Sequence, residues 1–441
     1  MDILFLNRMK EVLKEQYNSF IASMEKEPVK GFYLNPLKEN ILQYLDNQYI
    51  TKHPYIKDGY YFDYLNYRLG KSPYFNCGLY YIQEPSAMVV GSLLDIKEED
   101  YTLDMCAAPG GKTCYVASRL SNKGLMIAND ISSLRANILA QNIERFGLQN
   151  TIVTNCDPVK LPTIFTNFFD KIILDAPCSG EGMFRKLEQA IDTWSLDKVK
   201  ECAYIQKKLL DSAYQMLKPG GILVYSTCTY SLEENEENIT YCKEVLHMKG
   251  IPIKKQVGMS SGINNEDVVR LYPHLNDGEG QFIALLKKAE DSTISNKIEM
   301  LKTNCTNEQY QLVKTFYQNN LKINMPPYLY NSNNHIYAIQ PHFPLIKGIR
   351  IIKNGLYLGE CKKGRFEPSL SLALTLTKKD VHRYYDYSVT DKEVEQYLQG
   401  QTLIGYKEKG YGIIFVDGFP LSFYKESNQQ VKNLYPKGLR R

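Results

Sequence analysis

Asp104-Met105-Cys106-Ala107-Ala108-Pro109-Gly110-Gly111-Lys112-Thr113 is the stretch on which the fold turns. The apolar run 101–105 enters it and a helical pattern leaves it, so small residues stand where backbone comes close to a ligand at a helix N-terminus. This is a nucleotide-class loop. A Walker A reading needs glycine five positions before Gly111, where Cys106 stands, and Gly-x-Gly-x-x-Gly does not fit either. ATP and NAD therefore lose ground. Asp130 lies nineteen residues past Gly111, close to the spacing of about 20 at which a carboxylate takes ribose hydroxyls in nucleotide-binding folds. Asp157 ends the next apolar run in the same way and is placed for an adenine amino group.

Outward from this loop, short apolar runs at 124–128, 151–154, 171–174 and 222–226 alternate with helical stretches. That alternation predicts a parallel sheet in a doubly wound α/β domain. Runs at 268–272 and 281–286, joined by a turn too short for a crossover helix, predict a closing antiparallel pair. Ahead of the domain, Met9, Val12, Leu13, Phe20, Ile21 and Met24 recur at helical spacing until Pro28, and 32–34 reads as a strand. Tyrosines crowd residues 55–81 among Lys52, Lys57, Arg68 and Lys71, a mixture that suits either RNA contact or an ordinary tyrosine-rich core. Toward the end, 411–416, Asp417-Gly418 and 420–424 give a hairpin signal. The expected division is an α+β unit over 1–77, a catalytic domain over 78–287, a linker over 288–309, a middle domain over 310–395 and a β-rich unit over 396–441.

A chain of 441 residues, 44% hydrophobic and 23% charged, has the size and composition of a folded multi-domain protein. No apolar run reaches membrane-spanning length, and Met1-Asp2-Ile3-Leu4 lacks the basic start of a signal peptide. A cytoplasmic location without membrane association is expected. The ten cysteines include no Cys-x-x-Cys pair, which fits neither a zinc module nor a disulfide scaffold, so no metal is expected. Net charge is only +4, but residues 400–441 carry seven basic residues against three acidic ones, a balance that suits phosphate.

Two cysteines stand apart. Asp175-Ala176-Pro177-Cys178-Ser179-Gly180-Glu181-Gly182 follows the fourth parallel run and Ser226-Thr227-Cys228-Thr229-Tyr230 the fifth. Carboxyl ends of parallel strands share one crevice and neighbouring strands lie about 4.8 Å apart, so both thiols can face one substrate. Cys106, Cys114, Cys156, Cys202 and Cys242 read instead as small apolar residues. The chemistry that uses two thiols beside a cofactor is methylation of a pyrimidine ring carbon. Carbon 5 is a poor nucleophile until a thiolate adds to carbon 6 and makes it an enamine, and a carboxylate such as Asp175 assists at ring nitrogen 3. The residues alone do not decide which thiol adds and which assists release.

Tyr81-Ile82-Gln83-Glu84-Pro85-Ser86-Ala87-Met88, residues 106–113, residues 175–184, and residues 225–230 with Glu233-Glu234-Asn235-Glu236 resemble the Sun-type family of RNA 5-methylcytosine methyltransferases. The resemblance implies a class I S-adenosylmethionine-dependent methyltransferase fold, Rossmann-like with a seven-stranded sheet, between an α+β N-terminal domain and a β-rich PUA-like C-terminal domain. It implies S-adenosyl-L-methionine as cofactor, held by Cys106, Ala107, Ala108, Pro109, Gly110, Gly111, Lys112, Asp130, Asp157 and Asp175. Nucleophilic addition goes to Cys228 and adduct breakdown to Cys178, whereas DNA cytosine methyltransferases use the cysteine of a Pro-Cys motif. Residues 1–77 and the C-terminal part are most similar to the branch acting on bacterial small-subunit (16S) ribosomal RNA, down to Leu434-Tyr435-Pro436-Lys437-Gly438-Leu439-Arg440. Ribosomal RNA or the small subunit is thus the expected partner of a monomeric enzyme, ahead of transfer RNA or a non-catalytic assembly role. Tyr33-Leu34-Asn35-Pro36 stands where many members carry arginine and threonine around the asparagine, so no phosphate contact carries over there.

Overall fold

A small sheet stands ahead of the catalytic one, with Gly31, Phe32 and Tyr33 of one inner strand buried in succession. In the computed structural model, which describes residues 1–290 and 298–441, β1 (Lys30–Leu34), β2 (Ile50–Lys52), β3 (Gly59–Phe62) and β4 (Tyr80–Gln83) pair antiparallel in the order β2-β3-β1-β4. Residues 291–297 of the expected linker lie outside the described residues. Because β4 pairs with β1, the boundary expected at residue 77 cuts through this sheet, and the N-terminal unit extends to Gln83. Tyr74, Tyr80 and Tyr81 are buried, so these tyrosines belong to the core. The preceding helices, Ile3–Leu13 and Tyr17–Met24, pack Phe5, Met9, Leu13 and Phe20 against Phe184, Trp194, Tyr230 and Tyr272.

The predicted parallel runs form β5 (Tyr101–Asp104), β6 (Leu125–Asn129), β7 (Thr151–Asn155), β8 (Phe169–Asp175) and β9 (Leu217–Thr227). Two short strands follow, β10 (Lys249–Ile251) and β11 (Met259–Gly262), and then the expected antiparallel pair, β12 (Asn265–Leu271) and β13 (Gln281–Lys287). The order is β11-β12-β13-β9-β8-β5-β6-β7, with β13 antiparallel between β9 and β12. Every residue of β6 is buried, as expected of a strand covered on both faces. Helices Gly111–Arg119 and Ser133–Arg145 bring Val116, Leu139 and Ile143 to one face, and Leu196–Met216 and Glu236–Glu244 bring Leu209, Leu210 and Ile239 to the other. The chain leaves β5 toward β7 on one side and continues through β8 and β9 on the other. That switch opens a crevice at the carboxyl ends of β5 and β8.

The next strands are β14 (Leu329–Ser332), β15 (His335–Ala338), β16 (Arg350–Asn354), β17 (Leu356–Lys362) and β18 (Arg365–Pro368). All but β16 form one sheet, β14-β15-β17-β18. β16 departs from it and pairs antiparallel with β7 in the catalytic sheet, so the region expected as a separate domain over 310–395 supplies an edge strand to its neighbour. Lys353 of β16 is buried, with Nζ 3.5 Å from Glu144 and 3.3 Å from Ser371 Oγ.

The last sheet contains β19 (Tyr384–Tyr387), β20 (Leu403–Ile404), β21 (Gly410–Val416), β22 (Phe419–Ser427) and β23 (Gln430–Asn433) in the order β19-β21-β22-β23-β20. β21 and β22 are the expected hairpin, turning at Asp417-Gly418 with φ of 47° and 87°. β19 runs parallel to β21, so the C-terminal unit begins ahead of the expected residue 396. Tyr385, Tyr397 and Tyr424 share one core with Phe32 and Tyr80 of the first sheet and with Tyr74 of the short helix Pro73–Asn76, and the Tyr74 hydroxyl donates to Asp417 at 2.7 Å. Among the described residues no helix is long and apolar enough to cross a membrane.

Candidate active site

β5 ends on Asp104, whose carboxylate accepts from Thr113 Oγ1 at 2.7 Å and ties the loop to the helix it opens. Burial pushes the Asp104 carboxyl up to about 7 against the opposing Thr113 hydroxyl and Lys112. Its Oδ1 is buried and unpartnered. Gly110, with φ of 113°, turns the chain into that helix, a conformation that costs side-chain-bearing residues strain. A Cβ on Gly111 would fall 2.7 Å from the Gln83 amide carbon, so Gly111 leaves room for the Gln83 side chain beside the loop. At the end of β6, Asp130 is only 2% exposed; its oxygens accept from the Ser132 N–H at 2.9 Å and the Ala108 N–H at 3.3 Å.

The loop and the two thiols open onto a cavity of about 250 Å³, lined by Cys106, Ala108, Asp130, Ile131, Arg135 and Pro158 on the cofactor side and by Asp175, Cys178 and Cys228 on the other. A nucleoside with a charged tail suits this set: Ile131, 65% exposed, and Pro158 offer an apolar wall, and Asp130 offers acceptors. Asp157 caps the turn that follows β7 by accepting from the Val159 N–H at 3.1 Å, and its neighbour Pro158 lines the cavity. Cys114, Cys202 and Cys242 are buried, as their reading as small apolar residues requires, whereas Cys106 and Cys156 are only partly buried and Cys106 lines the cavity. Asn35 donates to the Gly78 and Phe146 carbonyls at 2.8 and 2.9 Å, a structural use of the position.

β8 and β9 end side by side and bring the predicted catalytic residues together. The sulfurs of Cys178 and Cys228 are 3.2 Å apart. Asp175 accepts from Lys112 Nζ at 2.8 Å, Ser226 Oγ at 2.7 Å and Gln281 Nε2 at 3.1 Å. Burial alone would lower the Lys112 ammonium, but the Asp175 carboxylate, with Asp104 beyond it, holds it above its ordinary value. The hydrogen bond with Cys228, followed by desolvation, pushes the Cys178 thiol well above the usual range. Among the described residues no group of three or more His, Cys, Asp or Glu is arranged to hold a metal.

Two carboxylates to which the motifs give no role join the thiol loops. Glu181, on the Cys178 loop, accepts from Thr229 Oγ1 (2.9 Å), the Tyr230 N–H (2.8 Å), Ser231 Oγ (2.7 Å) and Trp194 Nε1 (2.9 Å). Glu234, which follows the Cys228 loop, accepts from the Ser179 N–H (3.0 Å), Ser179 Oγ and Gln206 Nε2 (2.8 Å). Each loop thus sends a buried acid into the other. The signal that could have found them is an acidic residue inside or directly after each thiol segment, Glu181 three residues past Cys178 and Glu234 six past Cys228.

A doubly wound sheet closed by an antiparallel β13, with a small-residue loop and a carboxylate after consecutive strands, defines a class I S-adenosylmethionine-dependent methyltransferase. Family models for "16S rRNA methyltransferase RsmB/F" (residues 91–287), the N-terminal domain of 16S rRNA methyltransferase RsmF (2–85), the RsmF first C-terminal domain (315–376) and the RsmF PUA domain (384–441) match the chain. A protein named ribosomal RNA small subunit methyltransferase F from Vibrio vulnificus strain YJ016 is 30% identical over 99% of this chain and 96% of its own. One of the same name from Escherichia coli O6:H1 is 34% identical over 65% and 63%. Among solved structures, a methyltransferase homolog protein from Pyrococcus horikoshii superposes with a TM-score of 0.59 at 31% identity, covering 65% of this chain and 95% of the other. NSun6 from Pyrococcus horikoshii with SFG gives 0.58 at 27%, covering 65% and 98%. The chain belongs to the RsmB/F family of 16S rRNA methyltransferases, and it is an enzyme that uses S-adenosyl-L-methionine.

Proposed function

We propose that the protein methylates carbon 5 of cytosine in 16S ribosomal RNA through a covalent bond between Cys228 and carbon 6, acting as a monomer in the cytoplasm. The observation that carries this reading is the pair of sulfurs 3.2 Å apart at the ends of two neighbouring parallel strands, both lining one cavity with Asp175. The resemblance to the RNA 5-methylcytosine methyltransferases supports Cys228 as the nucleophile of the pair. When bound, S-adenosylmethionine supplies an electrophilic methyl group; residues 106–112, Asp130, Asp157 and Asp175 would hold it. Cys228 adds to carbon 6, electron density moves to carbon 5, and carbon 5 takes the methyl. Asp175, held by Lys112, Ser226 and Gln281, assists at ring nitrogen 3 in its protonated form, its carboxyl hydrogen being donated to that nitrogen as negative charge develops there. Release requires loss of the carbon 5 proton and cleavage of the Cys228–carbon 6 bond, the step assigned to Cys178.

The order of steps separates the thiols. Cys228→Ala is expected to give neither adduct nor product, whereas Cys178→Ala still adds and methylates but stays bonded to its RNA. A denaturing gel with labelled RNA shows that species as a slow band dependent on S-adenosylmethionine. A trapped band in the Cys228 variant alone would reverse the roles, and full activity in both variants would exclude the covalent route. Bisulfite sequencing of ribosomal and transfer RNA from a deletion strain identifies the cytosine and excludes the transfer RNA alternative if only 16S rRNA loses a mark.

A further inference from the structure

The contact between the two thiol loops contains one more oxygen–oxygen link than its hydroxyls can fill. Glu234 Oε1 meets Ser179 Oγ at 2.5 Å, Ser179 Oγ meets Thr229 Oγ1 at 2.8 Å, Thr229 Oγ1 meets Glu181 Oε2 at 2.9 Å, and Ser231 Oγ meets Glu181 Oε1 at 2.7 Å. These four links need four hydrogens, and Ser179, Thr229 and Ser231 bring three. The fourth belongs to a carboxyl group. At Glu181 both oxygens already face a fixed N–H donor, Tyr230 on one and Trp194 on the other. At Glu234 the fixed donors, the Ser179 N–H and Gln206 Nε2, both go to Oε2, and Oε1 meets only a hydroxyl, which can accept.

We propose that Glu234 is a positioning residue that carries this hydrogen and closes a one-way chain, Glu234 to Ser179 to Thr229 to Glu181, that fixes the spacing of the two thiols. The role assigned to that spacing rests on the covalent mechanism proposed above. Burial pushes the Glu234 carboxyl up to about 7, against the bonds from Ser179 and Gln206. The titratable groups facing it are Glu181 and Cys178 from the segment after β8, Lys198 and Cys202 from helix Leu196–Met216, and Tyr225 from β9. The proton is held below about 7 and leaves as pH rises through it. Ser179 must then give its hydrogen to Glu234, and Ser179 and Thr229 are left as two oxygens with no hydrogen between them. Glutamine at position 234 keeps the acceptor at Oε2 and donates permanently from the other position. Glutamine at 181 has no such solution, because its amide nitrogen would face an N–H whichever way it turned.

The test compares kcat on 16S rRNA from about pH 6 to about pH 9 for the full-length wild type, E234Q and E234A, together with the infrared carbonyl band of a protonated buried carboxyl. The ratio of E234Q to wild-type kcat is expected to rise above pH about 7, by up to about tenfold per unit, with KM for S-adenosylmethionine unchanged. E234A is slow throughout, and the carboxyl band is present in the wild type at low pH and absent from E234Q. Ser179→Ala, which removes the acceptor of the Glu234 hydrogen, supplies a second variant and is expected to abolish the same pH-dependent loss at a lowered kcat. A missing band, or a ratio that stays flat with pH, overturns the proposal. The band does not depend on turnover, so loss of the covalent mechanism in the thiol variants and loss of this proton are separate outcomes.

Discussion

Asp130 braces a loop at the strand end where the proposed cofactor site needs a carboxylate. It braces the Ala108 backbone from below and leaves lone pairs facing the cavity, since two N–H donors use only part of a carboxylate's accepting capacity. Asp130→Ala is therefore expected to weaken S-adenosylmethionine binding about 10- to 100-fold, the worth of about 1–3 kcal/mol in hydrogen bonds to a charged group. Calorimetric titration measures it, and unchanged affinity would reduce Asp130 to a loop brace. Its place beside the cavity was legible because that place follows from distance along the chain after a glycine loop. Cys178 and Cys228 were legible for a similar reason: strand ends in a parallel sheet meet by rule. Glu181 and Glu234 were not. Burying a carboxylate depends on donors gathered from several segments, here Trp194, Thr229, Tyr230 and Ser231 around Glu181, and no spacing rule brings those together before the chain folds.

Between elements, the two thiol loops touch through backbone as well as through side chains. The Gly182 N–H donates to the Cys228 carbonyl at 2.7 Å, and a Cβ on Gly182 would lie 2.7 Å from that oxygen, 3.2 Å from Glu279 O and 3.3 Å from Gly280 O. All three are backbone atoms, which cannot turn aside as a flexible side chain would. Gly182→Ala should therefore pry the loops apart, lowering adduct formation about 5- to 150-fold for a loss of about 1–3 kcal/mol in packing and alignment. Cofactor affinity should stay at the wild-type level. Single-turnover gels and cofactor titration separate the two effects, and an unchanged adduct rate would show that the loops yield. The strands carrying these loops were readable because burial on both faces leaves continuous apolar runs. β16 was not: Arg350-Ile351-Ile352-Lys353-Asn354 looks half-solvated, and Lys353 becomes a buried residue only beside Glu144 and Ser371. β19 hid for a related reason, a four-residue strand with Asp386 inside it, paired parallel to a strand more than twenty residues away.

Across the whole molecule, the first and last sheets share a core, with Asn76 Nδ2 donating to the Tyr435 hydroxyl at 2.8 Å and Arg441 to Asn76 Oδ1 at 3.0 Å. Deleting the basic tail would therefore disturb the N-terminal unit too, and charge reversal is the cleaner probe of its partner. Arg365, Lys425 and Lys432 line a groove of about 510 Å³ with Tyr411, whose ring lies 5.2 Å from Lys425 Nζ. Replacing Lys425 and Lys432 by glutamate is expected to lower RNA affinity and to flatten its dependence on salt, by about one logarithmic unit of slope for each phosphate no longer neutralised. Filter binding at several salt concentrations reads both, and an unaltered slope would make this face a solvated cap. The strand β16 has a practical consequence of another kind. A fragment trimmed to the catalytic domain at residue 287 leaves Thr151–Asn155 as a bare sheet margin, its outward N–H and C=O groups open to any strand that drifts past. Such a fragment is expected to self-associate, visible as light scattering that grows with concentration, and a synthetic peptide covering Arg350–Asn354 should suppress it by taking the place that the rest of the chain fills in the intact enzyme.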